Sequence, residues 1–441
     1  MQIGCKGKAL MVTEWPPECS PKGFVQRPVA QVLADLQWLI RSPVLIAAEG
    51  WLDDAFCARS WQRCAGSISA LRDSSLQTLC GYAGFTPRSQ RLGEYFEWLV
   101  CLWLFVDPEY SLLHRGLVLR GDDGGTLGEL DFIVRDLRRD KTIHLEVAVK
   151  FYLRVPEALA EPTRWHWRWF GPQPQDRLDL KYSQMQWQQI PLDAPRQQCL
   201  QDSGVAVDAH CGLLKGRVFL PIDERREARE LVRASLLSAQ ADIGRWMSTA
   251  AYRRWPDNSA QTAWRQAKYN WLRPRAGTAP LQAQDLAAAP LQIVRGDQPL
   301  MLVPEDWLAQ VRQLATQDWQ ALQAVYSAAV YEVAYRGQWH QLRVGEDTAL
   351  PDGYVITACN PGLLRPSEAQ NAARNRQLKA HLQQCGYAVE AALGRSADGR
   401  HREPSLVVWG MPWDVLAPIA QYYAQRAVLA LQQGRCRLRW V

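Results

Sequence analysis

The chain has 441 residues, 47% hydrophobic and 22% charged, which is ordinary for a soluble globular protein. No apolar run reaches the roughly 18–20 residues of a membrane-spanning helix, so no membrane partner is expected. The eleven cysteines form no CxxC pair and no metal-ligand cluster with His, which is typical of reduced thiols and predicts a cytoplasmic protein. The net charge of +6 permits nucleic-acid binding without requiring it.

The length allows two or three domains, each with its own core. We predict a flexible tail over residues 1–21, a first domain over 22–310, a helical connector over 311–325, and a small basic α+β domain over 326–441. The charge is uneven, because the segment from Arg365 to the end holds eleven Lys and Arg against five Asp and Glu. That excess equals the net charge of the whole chain.

Residues 126–152, TLGELDFIVRDLRRDKTIHLEVAVKFY, predict two strands joined by a charged turn, because the character of the residues alternates with a period of two. Glu129 and Asp131 share one face of the first strand. Glu146 and Lys150 share one face of the second. Pairing of these strands would bring acids and an ammonium to the same side of a sheet.

Charged groups on a Val-rich and Ile-rich hairpin cost free energy unless something compensates them. A hard divalent cation, Mg²⁺ or Mn²⁺, is one compensation, since such an ion takes one or two carboxylates and leaves its other positions to water and phosphate. The alternative is an edge hairpin whose charged face is simply solvated. The apolar residues on both sides of Glu146 and Lys150 favour an interior strand.

Helices are predicted around this hairpin. One runs from Arg91 to Phe105 and places Glu97 beside its apolar stripe. A later helix, capped by Asp176, presents Lys181 and Gln188 on its polar side. The remaining helices of the first domain are predicted over 28–41, 53–80, 222–251, 258–271 and from Glu305 to about Ala329.

The order Glu97, Asp131, Glu146, Lys150 resembles the PD-(D/E)XK nuclease superfamily, in which a helix precedes strands that carry an Asp and a Glu-x-Lys. More closely, the segments RLGEYFEWL, TLGELDFIV, HLEVAVKFYL, WFGPQPQDRLDLKYSQM and LKGRVFLP resemble domain-of-unknown-function family 1853, which is usually grouped with those nucleases. The resemblance implies a mixed α/β fold with an α-β-β-β-α-β core. One departure is Ala148 at the usual lysine position, which displaces the lysine by about 7 Å along the strand.

The resemblance also implies site roles. Asp131 and Glu146 would hold the metal, with Glu129 as a spare ligand. Lys150 would orient the attacking water, and Glu97 would add an outer contact. The residues expected to contact nucleic acid are Arg91, Arg120, Lys181 and Gln188.

The last 110 or so residues predict strand, turn and helix, with a turn at Asn360-Pro361-Gly362 and a capping box of Ser367 and Gln370. They resemble domain-of-unknown-function family 3293 through Thr357, Asn360, Pro361, Ser367, Asn371, Arg374, Gly394, Glu403, Ser405 and Gln425. Asn360, Asn371, Arg374 and Glu403 are candidates for a small polar pocket. Turn and cap duties are the alternative explanation of most of these positions.

Three functions compete at this stage. The first is a Mg²⁺-dependent nuclease with a C-terminal accessory domain. The second is a catalytically silent protein of the same fold that binds nucleic acid or other proteins, which Ala148 favours. The third is a small-molecule enzyme centred on the C-terminal domain, which needs Asn371, Arg374 and Glu403 to line one pocket.

Overall fold

The computed structural model describes residues 29–71, 91–121, 123–155, 168–233, 237–255, 263–266, 268–273, 280–295, 298–361 and 366–441. These residues form a mixed α/β fold with one nine-stranded mixed sheet and one seven-stranded antiparallel sheet. No helix within the described ranges is long and apolar enough to cross a bilayer. The tail predicted over residues 1–21 lies outside the described residues.

The larger sheet and its helices occupy the first three quarters of the chain. Its elements are α1 Val29–Arg41, α2 Asp54–Ala70, α3 Leu92–Val106, β1 Tyr110–Arg120, β2 Thr126–Asp136, β3 Lys141–Arg154, β4 Trp169–Phe170, α4 Leu178–Gln184, the π-helix Met185–Gln189, α5 Ala194–Asp202, β5 Ala209–Pro221, α6 Ala228–Arg233, β6 Ile243–Ser248, α7 Thr249–Arg254, β7 Ala263–Gln266, a 3₁₀ turn Lys268–Asn270, a 3₁₀ helix Ala283–Ala288, β8 Leu291–Arg295, β9 Gln298–Val303 and α8 Trp307–Ala328.

Strand order in this sheet is β1-β2-β3-β5-β6-β9-β8-β7, with β4 attached to the end of β3. The pairs β3-β5, β5-β6 and β6-β9 are parallel, while both ends of the sheet are antiparallel. Helices α1 to α3 cover one face, where residues such as Phe96, Leu99 and Phe132 are buried. Helix α4 covers part of the other face through Leu178 and Tyr182. The central strands are therefore buried on both sides, as parallel strands usually are.

Strands β2 and β3 are paired over only part of their length. Their register begins at Phe132 opposite Leu145 and runs toward the turn, so β3 has no β2 partner from Glu146 onward. Strand β3 stays attached to β5 throughout, and Lys150 lies opposite Gly216. A Cβ at Gly216, whose φ is +143°, would lie 1.7 Å from the carbonyl oxygen of Lys150, so only glycine fits there. One edge of β3 is thus left open beside the acids.

The second sheet is built from the C-terminal residues. Its elements are β10 Val330–Tyr335, β11 Gln338–Arg343, β12 Gly353–Ile356, α9 Glu368–Gln384, β13 Val389–Arg395, β14 Arg402–Trp409, α10 Trp413–Tyr422, β15 Ala427–Gln432 and β16 Arg435–Trp440. The strand order is β11-β10-β13-β14-β12-β15-β16, and every pair is antiparallel. The predicted capping box of Ser367 and Gln370 is confirmed at the start of α9.

Helix α8 packs against both sheets. Its first turns place Trp307, Val311 and Ala315 in the core of the larger sheet. Further along, Trp319 packs on Trp440 of the last strand, with ring centroids 4.2 Å apart. The helix predicted from Glu305 to about Ala329 is therefore present, and it contacts both sheets.

Two of the predicted helices were wrong. Within this range, the described residues 222–233 and 237–251 form the short helix α6, then the interior strand β6, which pairs with β5 and β9, and then the start of α7. Pairing between two buried strands outweighed the helical pattern. Glycine is needed at position 244, because a Cβ there would lie 2.7 Å from the Phe219 ring. The helix predicted over 258–271 is replaced, in its described part, by strand β7 and a 3₁₀ turn. Helix α2 ends at Ala70, and residues 72–80 of the predicted helix lie outside the described ranges.

Candidate active site

A cavity of about 920 Å³ lies beside the open edge of β3, and we call it the acid-lined cavity. Strand β3 forms its back wall, and the start of α3, helix α4 and the segments around β7 and β8 form the others. Its lining includes Arg91, Glu97, Asp131, Val147, Ala148, Lys150, Phe151, Asp176, Lys181, Gln189, Arg265, Lys268 and Trp271. Acids, cations and aromatic rings therefore line one open cavity.

Asp131 and Glu146 meet where β2 and β3 separate. The backbone N–H of Val147 donates to Asp131 Oδ2 at 2.9 Å. The backbone N–H of Asp131 is 3.3 Å from Glu146 Oε1. Each acid is thus held by the strand that carries the other, which keeps the two carboxylates adjacent.

Glu146 is positioned by His144 and Gln189 as well. It is 1% exposed, and its Oε1 is 2.9 Å from Nε2 of the buried His144. Its Oε2 accepts from Gln189 Nε2 at 3.1 Å, and Gln189 Oε1 in turn accepts from the Lys181 ammonium at 3.1 Å. The carboxylate of Glu146 is therefore fixed from two sides, and Lys181 is linked to it through one amide.

The charges in this cavity affect one another strongly. Burial, and next the negative charge of Glu146, raise the pKa of Asp131 to about 8, although the Val147 N–H opposes this shift. Burial and then the nearby Lys150 lower the pKa of Lys181, while Asp131 and Glu146 oppose that change. Two acids share the site with the ammonium of Lys181.

The predicted Lys150 lines the same cavity, but its ammonium donates to Asp176 Oδ2 at 2.7 Å. Asp176 also accepts from the Tyr152 hydroxyl at 3.4 Å. The predicted capping role of Asp176 is wrong, because Arg177 occupies the N-cap of α4 and its side chain makes no cap bond. The acid is used instead to neutralise Lys150.

Sequence analysis proposed six further residues for this site, of which three line the cavity and three do not. Glu97 and Arg91 line the cavity, and Glu97 is 3.8 Å from the guanidinium of Arg115. Burial raises the pKa of Glu97, although the charge of Arg115 opposes the shift. Lys181 lines the cavity too. Glu129, Arg120 and Gln188 are not among its lining residues.

Sequence analysis missed Gln189 by one position and did not consider His144. Met185–Gln189 forms a π-helix, in which one extra residue per turn shifts the side-chain register. Gln189 therefore reaches Glu146, while the backbone carbonyl of Gln188 accepts from Arg196. The alternation of β3 did contain a signal for His144, because it places His144 and Glu146 on one face.

The predicted polar pocket of the C-terminal region is only partly assembled. Asn360 donates to Glu403 Oε1 at 2.9 Å, and Asn371 supports Asn360 through a 3.0 Å bond to its backbone N–H. Arg374 points elsewhere, because its guanidinium lies 3.8 Å from the ring centroid of Trp187. Asn371, Arg374 and Glu403 therefore do not line one pocket, and the small-molecule enzyme that required this loses its basis.

The Trp187 contact joins the C-terminal region to the π-helix of the acid-lined cavity. Trp187 stacks on Tyr423 with centroids 5.9 Å apart and an angle of 14° between the rings. The buried Asp179 of α4 binds Arg177 at 2.7 Å and Arg426 at 2.9 Å. The helical segment that carries Lys181 and Gln189 is therefore held partly by C-terminal residues.

The raised pKa of Asp131 predicts a pH-dependent stability in the absence of divalent cations. The folded state binds the Asp131 proton more tightly than the unfolded state, so its contribution to stability is lost as the pH rises from about 4 to about 8. In Asp131→Asn the side chain cannot ionise, so this loss of stability does not occur. We expect its urea midpoint to exceed that of the wild type at pH 8 in EDTA, by a margin that shrinks toward pH 4. Asp223→Asn, at an exposed acid, is the control, and a margin independent of pH would contradict the assignment.

The described residues define a mixed α/β protein with an acid-lined cavity at the open edge of an interior strand. The chain belongs to the family described as Domain of unknown function (DUF1853), whose model matches residues 34–326. A second model, Protein of unknown function (DUF3293), matches residues 356–428. Both family resemblances stated from the sequence are thereby confirmed. No curated protein and no solved structure matches the chain.

Proposed function

We propose that the acid-lined cavity hydrolyses phosphodiester bonds in nucleic acid with the help of a divalent cation. One observation carries the proposal: the carboxylates of Asp131 and the buried Glu146 converge where β2 and β3 part, and Asp131 lines a cavity whose wall also bears cations. Two adjacent buried acids are costly without a compensating positive charge. The PD-(D/E)XK resemblance of the sequence supports the same reading.

The donor set fits Mg²⁺ or Mn²⁺ better than zinc. Within the described residues no group of three His, Cys, Asp or Glu side chains is arranged to hold a metal ion. Asp131 and Glu146 are hard oxygen donors, and Mg²⁺ is commonly held by one or two carboxylates with water and substrate phosphate completing its shell. When bound, the ion would polarise the phosphate and lower the pKa of a bound water.

Other residues of the cavity have supporting roles in this proposal. Lys181 lies where its charge acts on both acids, so it would stabilise the negative charge that develops on the phosphate. His144 and Gln189 fix the orientation of Glu146. The cations Arg91, Arg265 and Lys268 line the cavity and would contact backbone phosphates, so binding would weaken with salt.

A catalytically silent, nucleic-acid-binding protein is the second candidate. It is favoured by the 2.7 Å bond between Lys150 and Asp176, which neutralises the lysine that the sequence assigned to catalysis. Ala148 at the usual lysine position points the same way. In this case the cavity would bind nucleic acid through its cations and leave the phosphodiester intact.

Cleavage assays on the full chain distinguish the two. Protein freed of metal with a chelator is supplied with Mg²⁺ or Mn²⁺ and incubated with single-stranded DNA, duplex DNA and RNA. We expect cation-dependent cleavage that falls on the order of 1,000-fold or more in Asp131→Asn and in Glu146→Gln, because metal coordination supplies several kcal/mol of transition-state stabilisation. Asp223→Asn should cleave as the wild type does. Tight binding without cleavage under every condition would support the silent protein instead.

A further inference from the structure

A second cavity, of about 290 Å³, lies between helix α8 and the C-terminal sheet, and the proposed nuclease does not use it. Six of the ten residues that carry the C-terminal family resemblance line this second cavity: Thr357, Asn360, Gly394, Glu403, Ser405 and Gln425. They come from four separate stretches of chain. Turn and cap duties account for Ser367, but they do not explain why these six meet at one cavity.

Three neighbouring strands form the floor of the second cavity. Tyr331 of β10 lies directly opposite Gly394 of β13, and Gly394 lies directly opposite Glu403 of β14. Directly opposed residues in antiparallel strands project to the same face of a sheet. The floor is therefore a row with two large side chains and, between them, a position that has none.

Gly394 leaves space that the fold itself does not require. Its φ lies outside the left-handed region, and the nearest atoms to a Cβ built there would be 3.8 Å away, on Glu403 and Ser405. Alanine would therefore fit the backbone without a clash, and glycine within a strand normally weakens it. The absent side chain keeps the middle of the row open for something else.

The groups around this gap suit the recognition of an N–H group, because an acid lies on one side and apolar side chains lie on the other. The Glu403 carboxylate is oriented by Asn360, which is itself held by Asn371. Burial, and next Tyr326 and Glu403, raise the pKa of Tyr331, so its hydroxyl stays protonated and able to donate. Leu322, Val325 and Tyr326 of α8 close the opposite side.

We propose that the second cavity binds one unpaired nucleobase, with its N–H edge against Glu403 and its face against the apolar and tyrosine side chains. Unpaired bases are commonly recognised by stacking together with hydrogen bonds to the edge that would otherwise pair. Guanine places two adjacent N–H donors beside a carbonyl oxygen, so it matches a carboxylate next to an amide best. The volume lies at the small end of ligand sites, which fits a single base better than an oligomer.

The rim argues against a simple organic cation as the ligand. Arg395, which is paired with Glu332 at 3.0 Å, and the exposed His401 both line the second cavity. The Arg395 guanidinium disfavours an ammonium ligand and favours the sugar-phosphate end of a nucleotide. Glu403 and Arg395 together therefore match a ligand with an N–H edge and an anionic tail.

The test titrates guanosine, adenosine, cytidine, uridine and guanosine 5′-monophosphate into the full chain without divalent cations, with calorimetry or saturation-transfer NMR as the readout. We expect saturable binding, tightest for the guanine compounds, that weakens about 10-fold or more in Glu403→Gln, since a bidentate base contact contributes a factor of this size. Gly394→Val should abolish it by filling the gap. Gly394→Ala, a smaller filling, should weaken it less and preserve the fold.

Three results would overturn the proposal: no saturable binding of any nucleoside, binding that is unchanged in both Glu403→Gln and Gly394→Val, or equal binding of a simple alkylammonium ion. Circular dichroism and thermal midpoints of each variant separate loss of binding from loss of fold. Because no cleavage and no metal enter this experiment, its outcome is independent of whether the acid-lined cavity is a nuclease.

Discussion

Replacing Lys181 by methionine is expected to slow cleavage by about 100-fold, since losing one preorganised positive donor at a reacting oxyanion commonly costs this much. The physical reason lies in the cavity: the half-buried Lys181 is surrounded by charges, and Asp131 and Glu146 both act on it. It also donates to Gln189, which holds Glu146. Single-turnover rates at saturating metal would measure the effect, because they isolate the chemical step from substrate binding.

Lys150→Met is the matched comparison for Lys181→Met. Lys150 lines the same cavity, but its charge is already neutralised by Asp176 at 2.7 Å. We therefore expect a smaller loss of rate, expressed mainly as weaker substrate binding. If Lys150→Met removed cleavage while Lys181→Met did not, the sequence-based assignment of Lys150 would be correct and our assignment of Lys181 wrong.

Replacing Asp179 by alanine is expected to lower the free energy of unfolding by roughly 3–5 kcal/mol, the usual cost of removing one partner from a buried ion pair. Asp179 binds both Arg177 and Arg426, and all three side chains are at most 7% exposed. The substitution would leave two buried guanidinium groups facing each other. Urea denaturation of the full chain, followed by circular dichroism, would measure the loss.

The exposed pair of Asp398 and Arg400 provides the control for Asp179→Ala. Their charged groups are 3.7 Å apart, and the side chains are 57% and 90% exposed. Exposed ion pairs contribute little to stability because water screens them, so Asp398→Ala should leave the urea midpoint almost unchanged. Similar losses in the two variants would show that the Asp179 cluster is not a stability determinant of the junction.

The two acids of the site could be found from the sequence because strand alternation is a local property. A period of two places Glu146 on one face of β3, and the structure brings Asp131 beside it. The sequence signal for a capping box is equally local, and the predicted capping box of Ser367 and Gln370 is present. Short-range patterns were thus enough for this cap and for the pair of carboxylates.

The partners of these groups could not be found in this way, because they depend on contacts between distant segments. Nothing near Lys150 in the sequence indicates that Asp176, 26 residues later, neutralises it. Gln189 rather than Gln188 reaches Glu146 because of a local π-helix that no simple periodicity reveals. Strand β6 was mistaken for a helix because its buried position between β5 and β9 is a tertiary effect.

The first family match ends at residue 326 and the second begins at residue 356, but packing contacts connect the two parts of the chain. Helix α8 places Trp307 in the core of the larger sheet and packs Trp319 against Trp440 of the last strand. Expressing the two halves as separate polypeptides would expose Trp319 and Trp440 to water, and each product should aggregate unless its counterpart is made alongside it. The two halves should therefore be produced together for either to stay soluble.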